Sequence, residues 1–234
     1  FVDSKKTKKI AYAASFGKDY WEGENDSKDI SKLLQNFVGV GTREKSGVDI
    51  CKATFSFNNA KHVLDPTLLM DKEFYKNEII SKYDISKIQK GGLTTYVLDE
   101  EDEKNNIIYF VKESLHTNNV HHLKGFDSLK ITYSVSEWLA SFANTDFVVT
   151  DSFHGMVFSI IFEKDFVVIG NHDRGLDRFT SLLSLLGLED RMVFSVEDLK
   201  DKKIGSIDYS SVNKILEENK KSSLEFLMGA LNGE

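Results

Sequence analysis

The chain contains one cysteine and one proline in 234 residues. A single thiol, Cys51, can close no internal disulfide and can supply no cysteine zinc cluster. It reads as a small, semi-buried hydrophobe. No run approaches the roughly 18 to 20 apolar residues that span a bilayer, and no secretory signal is visible. Positive charge is not in excess either. Thirty Lys and Arg stand against 37 Asp and Glu, a formal net charge of −7. That balance argues against a broad basic face for nucleic acid and leaves room for a small basic pocket. The His-Glu-x-x-His, phosphate-loop and Gly-x-Gly-x-x-Gly signatures are missing, as are internal repeats and low-complexity tracts. The triplet "NDS" at Asn25 is common by chance and carries no weight.

What is present is a regular alternation. Apolar residues make up 41% of the chain, enough for a real core. "KIAYAASFG" (9–17) and "FVGVGTRE" (37–44) are apolar runs that end in glycine and polar residues. Between them Ile30, Leu33, Leu34 and Phe37 follow helical spacing. Pro66, after an apolar run and an aspartate, reads as a hinge, and a polar crossing segment follows it to Gly91-Gly92. A second unit then opens with the strand "LTTYVLD". Ile107, Ile108, Phe110, Val111 and Leu115 lie on one helical stripe. Ser134 and Glu137 are spaced as a capping box. "DFVVTD" and "DFVVIG" read as strands buried on both faces, with "MVFSIIF" as the crossover helix between them. "DRFTSLLSLLG" is amphipathic, with Gly187 as its stop. The last stretch is a long helix that packs back across the body. The expected class is an open α/β sheet, divided at residues 1–66 and 67–234.

The stretch "TDSFHG" (150–155) sits where a buried strand gives way to a helix. Ligands of such sheets lie outside the C-terminal strand ends. Ser152 can cap the helix, and the first-turn N–H groups suit an anion. Gly155 lets a ligand approach the backbone, and His154 can act as donor, acid or base. A capped turn with a histidine bonded to a neighbour is the plainer alternative. "NHDRGLDRF" (171–179) follows the next strand and supplies Arg174 and Arg178, whose guanidinium forks match carboxylate and phosphate. Asp173 and Asp177 could instead pair with them, and His172 reads as a bystander. Arg43 ends another strand, with Glu44 as an alternative partner. His121 and His122 are adjacent and so face apart, which disfavours a metal pair.

"WLASFANTDFVVTDSFHGMVFSIIFEKDFVVI", followed by "RGLDRFTSLLSLLGL", closely resembles the polysaccharide pyruvyl transferase family. "YAASFG" (12–17), "REKSG" (43–47) and "LDPTLL" (64–69) match that family in order. The resemblance implies Rossmann-like parallel sheets in a two-domain, glycosyltransferase-B-type architecture. It implies transfer of the enolpyruvyl group of phosphoenolpyruvate onto a sugar of a surface polysaccharide, giving a pyruvate ketal and phosphate. The acceptor would be a sugar or lipid-linked saccharide. The location would be cytoplasmic, with the inner membrane face as the alternative place, and no integral membrane segment or nucleic acid is involved. His154 becomes the lead catalytic residue, with Asp151 orienting it or accepting a sugar hydroxyl. Ser152, Gly155, Arg174, Arg178 and Arg43 bind substrate. No cofactor and no protein-bound metal is expected. The family's glycine-rich opening segment is missing, so the N-terminal half is expected to be truncated. A nucleotide-sugar glycosyltransferase of the same architecture, or a non-catalytic anion- or sugar-binding module, are the competing readings.

Overall fold

The computed structural model describes residues 7–99, 101–123, 133–171, 175–202 and 205–233. In chain order its elements begin β1 (Ile10–Ala14), α1 (Ser27–Leu34), β2 (Gly39–Thr42), α2 (Lys45–Ala53) and β3 (Ala60–His62). A 3-10 turn, Pro66–Leu69, precedes α3 (Lys72–Phe74), which widens into a π turn, Tyr75–Ile79. Next come β4 (Leu93–Tyr96), α4 (Asp102–Ser114), β5 (Val120–His122), α5 (Val135–Ala143) and β6 (Phe147–Thr150). The chain closes with α6 (Phe153–Ile161), β7 (Asp165–Ile169), α7 (Leu176–Leu186), β8 (Met192–Val193), α8 (Val196–Asp201) and α9 (Tyr209–Asn232).

The chain forms two compact units. The first holds a parallel sheet in the order β1-β2-β3, with Val40, Ile50, Cys51, Phe55 and Phe57 as its core. Cys51 is fully buried rather than semi-buried. The second holds a parallel sheet in the order β5-β4-β6-β7-β8. Its core includes Leu93, Ile107, Val149, Val167 and Val193. The strand β6 is buried at every residue, as a strand covered on both faces must be. The chain is thus α/β with parallel sheets, consistent with the Rossmann-like expectation.

The units divide differently from residues 1–66 and 67–234. The first unit runs to Leu69 and also takes residues 172–187 and 210–234. The reason for the last segment lies in two glycines. A Cβ at Gly39 or Gly41 would meet the Phe226 ring of α9 at 3.0 or 3.1 Å, so the bare backbone of β2 is what admits that ring. Ser223 of α9 adds a hydrogen bond from Leu64 N at 3.0 Å. The long terminal helix does pack back, and it does so onto the first sheet.

In the second unit α5 opens with the expected capping box, Ser134 with Glu137. Tyr209 donates from its hydroxyl to the Lys164 carbonyl at 2.5 Å and so ties the start of α9 to the α6–β7 turn. Among the described residues no helix is long and apolar enough to cross a membrane.

Candidate functional site

The second unit presents the turn from β6 into α6. Asp151 is 3% exposed and faces Lys104, 4% exposed, at 3.0 Å. Its other oxygen accepts from Leu98 N at 2.8 Å. Lys104 also pairs with Glu101 at 3.0 Å. Burial works against the Lys104 charge, yet the hydrogen bonds it donates to Asp151 and Glu101 outweigh it and raise its pKa. Ser152 caps α6, its hydroxyl accepting from Gly155 N at 3.4 Å. Its own N–H donates to Thr150 Oγ1 at 3.0 Å. A Cβ at Gly155 would lie 2.2 Å from that same Thr150 oxygen. The space over Gly155 is therefore filled by the strand side chain, and what this glycine admits is the close packing of α6 on β6. His154 is exposed on the first turn of α6, its ring edge-on to Phe153 at 5.5 Å. The carboxylate, the hydroxyl and the glycine build the turn, and the imidazole is what the turn offers to solvent.

The first unit places Arg43, Glu44 and Asp65 just beyond the C-terminal ends of β2 and β3. Arg43 follows β2 and pairs through Nη1 with Asp65 at 2.8 Å, not with its neighbour Glu44. Asp65 also accepts from the Thr67 N–H and hydroxyl, at 3.0 and 2.7 Å. Glu44 is fully buried and accepts from the Ser15 hydroxyl. Its second oxygen has no hydrogen-bond partner among the described residues. Gly175 takes the left-handed conformation, φ 57°, at the entry to α7. From that turn Arg178 extends, half-buried. Burial and then the nearby Arg43 charge lower its pKa, while Glu44 and Asp65 act the other way. Arg43 and Arg178 thus lie near enough for their charges to act on one another, as do the Glu44 and Asp65 carboxylates on Arg178. Asp177 accepts instead from the Ser46 hydroxyl. Arg174, with His172 and Asp173, lies outside the described residues.

Asp65, Lys104 and His62 escaped the sequence reading, and the buried Glu44 was read only as a possible partner of Arg43. A signal existed for three of them: His62 ends a strand, while Glu44 and Asp65 each stand two or three residues beyond one. Lys104 had none, because its partner Asp151 is distant in sequence. His121 and His122 do face apart. Nε2 of the first contacts the Tyr133 hydroxyl at 3.0 Å, and Nδ1 of the second the Thr95 hydroxyl at 2.8 Å. No cluster of three metal-ligating side chains occurs among the described residues.

His62 and His121 give the fold a pH dependence. Burial, opposed in part by a hydrogen bond to the Arg43 carbonyl, lowers the His62 pKa below 6.5. Burial and then His122 lower that of His121. A depressed folded-state value means the unfolded chain binds protons first as pH falls. Both contributions are complete above pH 6.5 and are lost as pH drops toward the lowered values. Melting temperature should therefore fall between pH 7 and pH 5, and less so in His62→Gln. An equal fall in that variant would remove His62 from the account.

Arg43 and the turn carrying His154 both lie within the range matched by a family model, described as polysaccharide pyruvyl transferase, that covers residues 1–173. The match ends short of Arg178 and α7. Among curated proteins no match was found. With about three quarters of its length within that match, the chain belongs to the polysaccharide pyruvyl transferase family.

Proposed function

We propose that the protein transfers the enolpyruvyl group of phosphoenolpyruvate to a saccharide of a surface polysaccharide, free or lipid-linked, forming a pyruvate ketal. The observation that carries this reading is the nearness of the Arg43 charge, just beyond β2, to Arg178 on α7 of the first unit, in a member of this family. Arg43 is paired with Asp65, and its charge still disfavours that of half-buried Arg178, which a multiply charged anion would offset. Phosphoenolpyruvate brings both a phosphate and a carboxylate, each matched by a guanidinium fork. Two parallel-sheet units support the glycosyltransferase-B-type architecture.

The chemistry is addition and then displacement. The vinyl carbon of the donor takes a proton and becomes a methyl group. One sugar hydroxyl adds to the neighbouring carbon. A second hydroxyl closes the ring as the carbon–oxygen bond to phosphate breaks. Of the two hydroxyl protons released, one balances that on the methyl carbon and the other leaves with phosphate. We assign His154 to the proton on the vinyl carbon or to the departing phosphate, since it is exposed on a helix's first turn. Asp151, Ser152 and Gly155 hold the turn that presents it. Arg174 belongs to the donor site by its place in the motif.

A glycosyltransferase using a nucleotide-sugar would also want paired arginines, for a diphosphate. Ligands that bind the native state raise its melting temperature. At a hundredfold excess over its dissociation constant, phosphoenolpyruvate should stabilise the chain by about 2.7 kcal/mol. Nucleotide-sugars at the same concentration should give no shift. The reverse pattern would transfer the protein to the glycosyltransferase reading.

A further inference from the structure

Glu44 is a buried charge that the proposed chemistry leaves unused. Its backbone is held firmly, the carbonyl accepting from the Thr42 hydroxyl at 2.9 Å and the Gly47 N–H at 3.1 Å. Its fully buried carboxylate is not. Among the described residues one oxygen accepts only from the neutral Ser15 hydroxyl, and the other has no hydrogen-bond donor. Burying a carboxylate with so few donors costs stability, and a group kept at that cost calls for a role. Its sequence neighbour Arg43 is paired with Asp65. The geometry leads instead to Arg178. A Cβ at Gly175 would lie 3.1 Å from Nη2 and 3.3 Å from Nε of Arg178, so the guanidinium folds back over its own turn. The same point lies 3.2 Å from the Gly17 carbonyl. Gly17 belongs to the loop that leaves β1, and Ser15 of that loop holds the Glu44 carboxylate. Phe16, between them, is fixed by ring contacts with Trp21 and Phe55 at 6.2 and 6.4 Å. Loop 15–17 therefore joins the carboxylate to the guanidinium turn, and the Glu44 charge favours the charged state of Arg178.

We propose that Glu44 is a positioning residue that acts through Arg178: its fixed negative charge keeps the guanidinium over the Gly175 turn and holds the affinity of that turn for anions down. Naming the anion as phosphoenolpyruvate on entry and phosphate on exit rests on the transferase reading; the pairing of the two charges does not. A guanidinium without a counter-charge would retain phosphate as firmly as it takes up a donor's phosphate. Tighter binding of that kind lowers KM without raising kcat. A buried carboxylate opposes it, and salt screens a buried charge far less than an exposed one.

Glu44→Gln keeps the size of the side chain and an oxygen for Ser15, and removes the charge. Inorganic phosphate and phosphoenolpyruvate are titrated calorimetrically into the full chain. Both should bind roughly 10-fold more tightly in this variant, the effect of removing one opposing charge at partial screening. Damage to the fold would weaken binding, so a gain separates lost charge from lost structure. In an Arg178→Ala background the same change should move affinity by no more than about twofold, since the anion no longer seats beside Glu44. In turnover the donor KM should fall, and phosphate should inhibit at about a tenth of the concentration. Glu44→Met, which also lacks the charge, should give the same sign and replaces the amide variant if that one unfolds. Phosphoenolpyruvate affinity that falls in Arg178→Ala but is unchanged or weakened in Glu44→Gln overturns the proposal and spares the transferase reading. A phosphate gain in Glu44→Gln, with phosphoenolpyruvate bound by no variant, does the reverse. A gain that persists without Arg178, or phosphate affinity unmoved in both Glu44 variants, also overturns the proposal.

Discussion

Asp151→Ala should destabilise the chain by about 3 to 5 kcal/mol, the cost of leaving a buried charge without its partner. The partner is Lys104, and both side chains are at most 4% exposed, so solvent screening offers little relief. Glu101 still reaches Lys104 at 3.0 Å but is itself 55% exposed and cannot replace the lost pair in full. The Leu98 N–H loses its acceptor as well. Asp151→Asn separates the two terms, since the amide keeps an oxygen for Leu98 and removes the charge. Replacing both members of the pair, as Lys104→Met with Asp151→Leu, should cost less than either single change. Denaturant unfolding checks this. A loss below about 1 kcal/mol for Asp151→Ala would mean that the pair does not anchor the turn.

His154→Ala should reduce transfer by roughly 10² to 10⁴, the usual contribution of a positioned proton-transfer group. The side chain is exposed, so the fold should survive, and melting temperature should stay within a degree or two of the parent. The two roles assigned to the imidazole separate in the kinetics. An acid for the vinyl carbon lowers kcat and shifts its pH profile, while donor affinity holds. A phosphate-binding group raises the donor KM as well. Activity within a few-fold of the parent would remove His154 from the chemistry.

The strands were readable because parallel strands are apolar along their whole length. "DFVVTD" and "DFVVIG" are legible as β6 and β7, and the period of Phe179, Leu182, Leu183 and Leu186 marks α7, whose buried face they form. Residues 71–92 were read only as a polar crossing. They hold short turns and a π turn, with Tyr75, Ile80 and Ile88 buried. One buried apolar residue per short turn leaves no period to detect. The two-residue β8 and the capping box Ser195 with Asp198 were missed on the same scale of length.

In the candidate site, residue type was legible and partnership was not. Arg43 had Glu44 beside it in sequence, yet its partner is Asp65, brought by the end of β3. Ser152 and Gly155 looked open to a ligand, but their roles depend on Thr150, whose hydroxyl occupies the space over the glycine. The return of residues 172–187 to the first unit is what brings Arg178 to Arg43. Such pairings are fixed by tertiary packing, and local spacing carries no trace of them.

Calorimetric titration of phosphoenolpyruvate into the chain and into Arg178→Ala bears most directly on the arginine pair as donor site. A hydrogen bond to a charged group contributes about 1.5 to 3 kcal/mol, so affinity should fall by roughly 10- to 100-fold, with Arg43→Ala doing the same. Affinity within twofold of the parent in both variants would contradict the account.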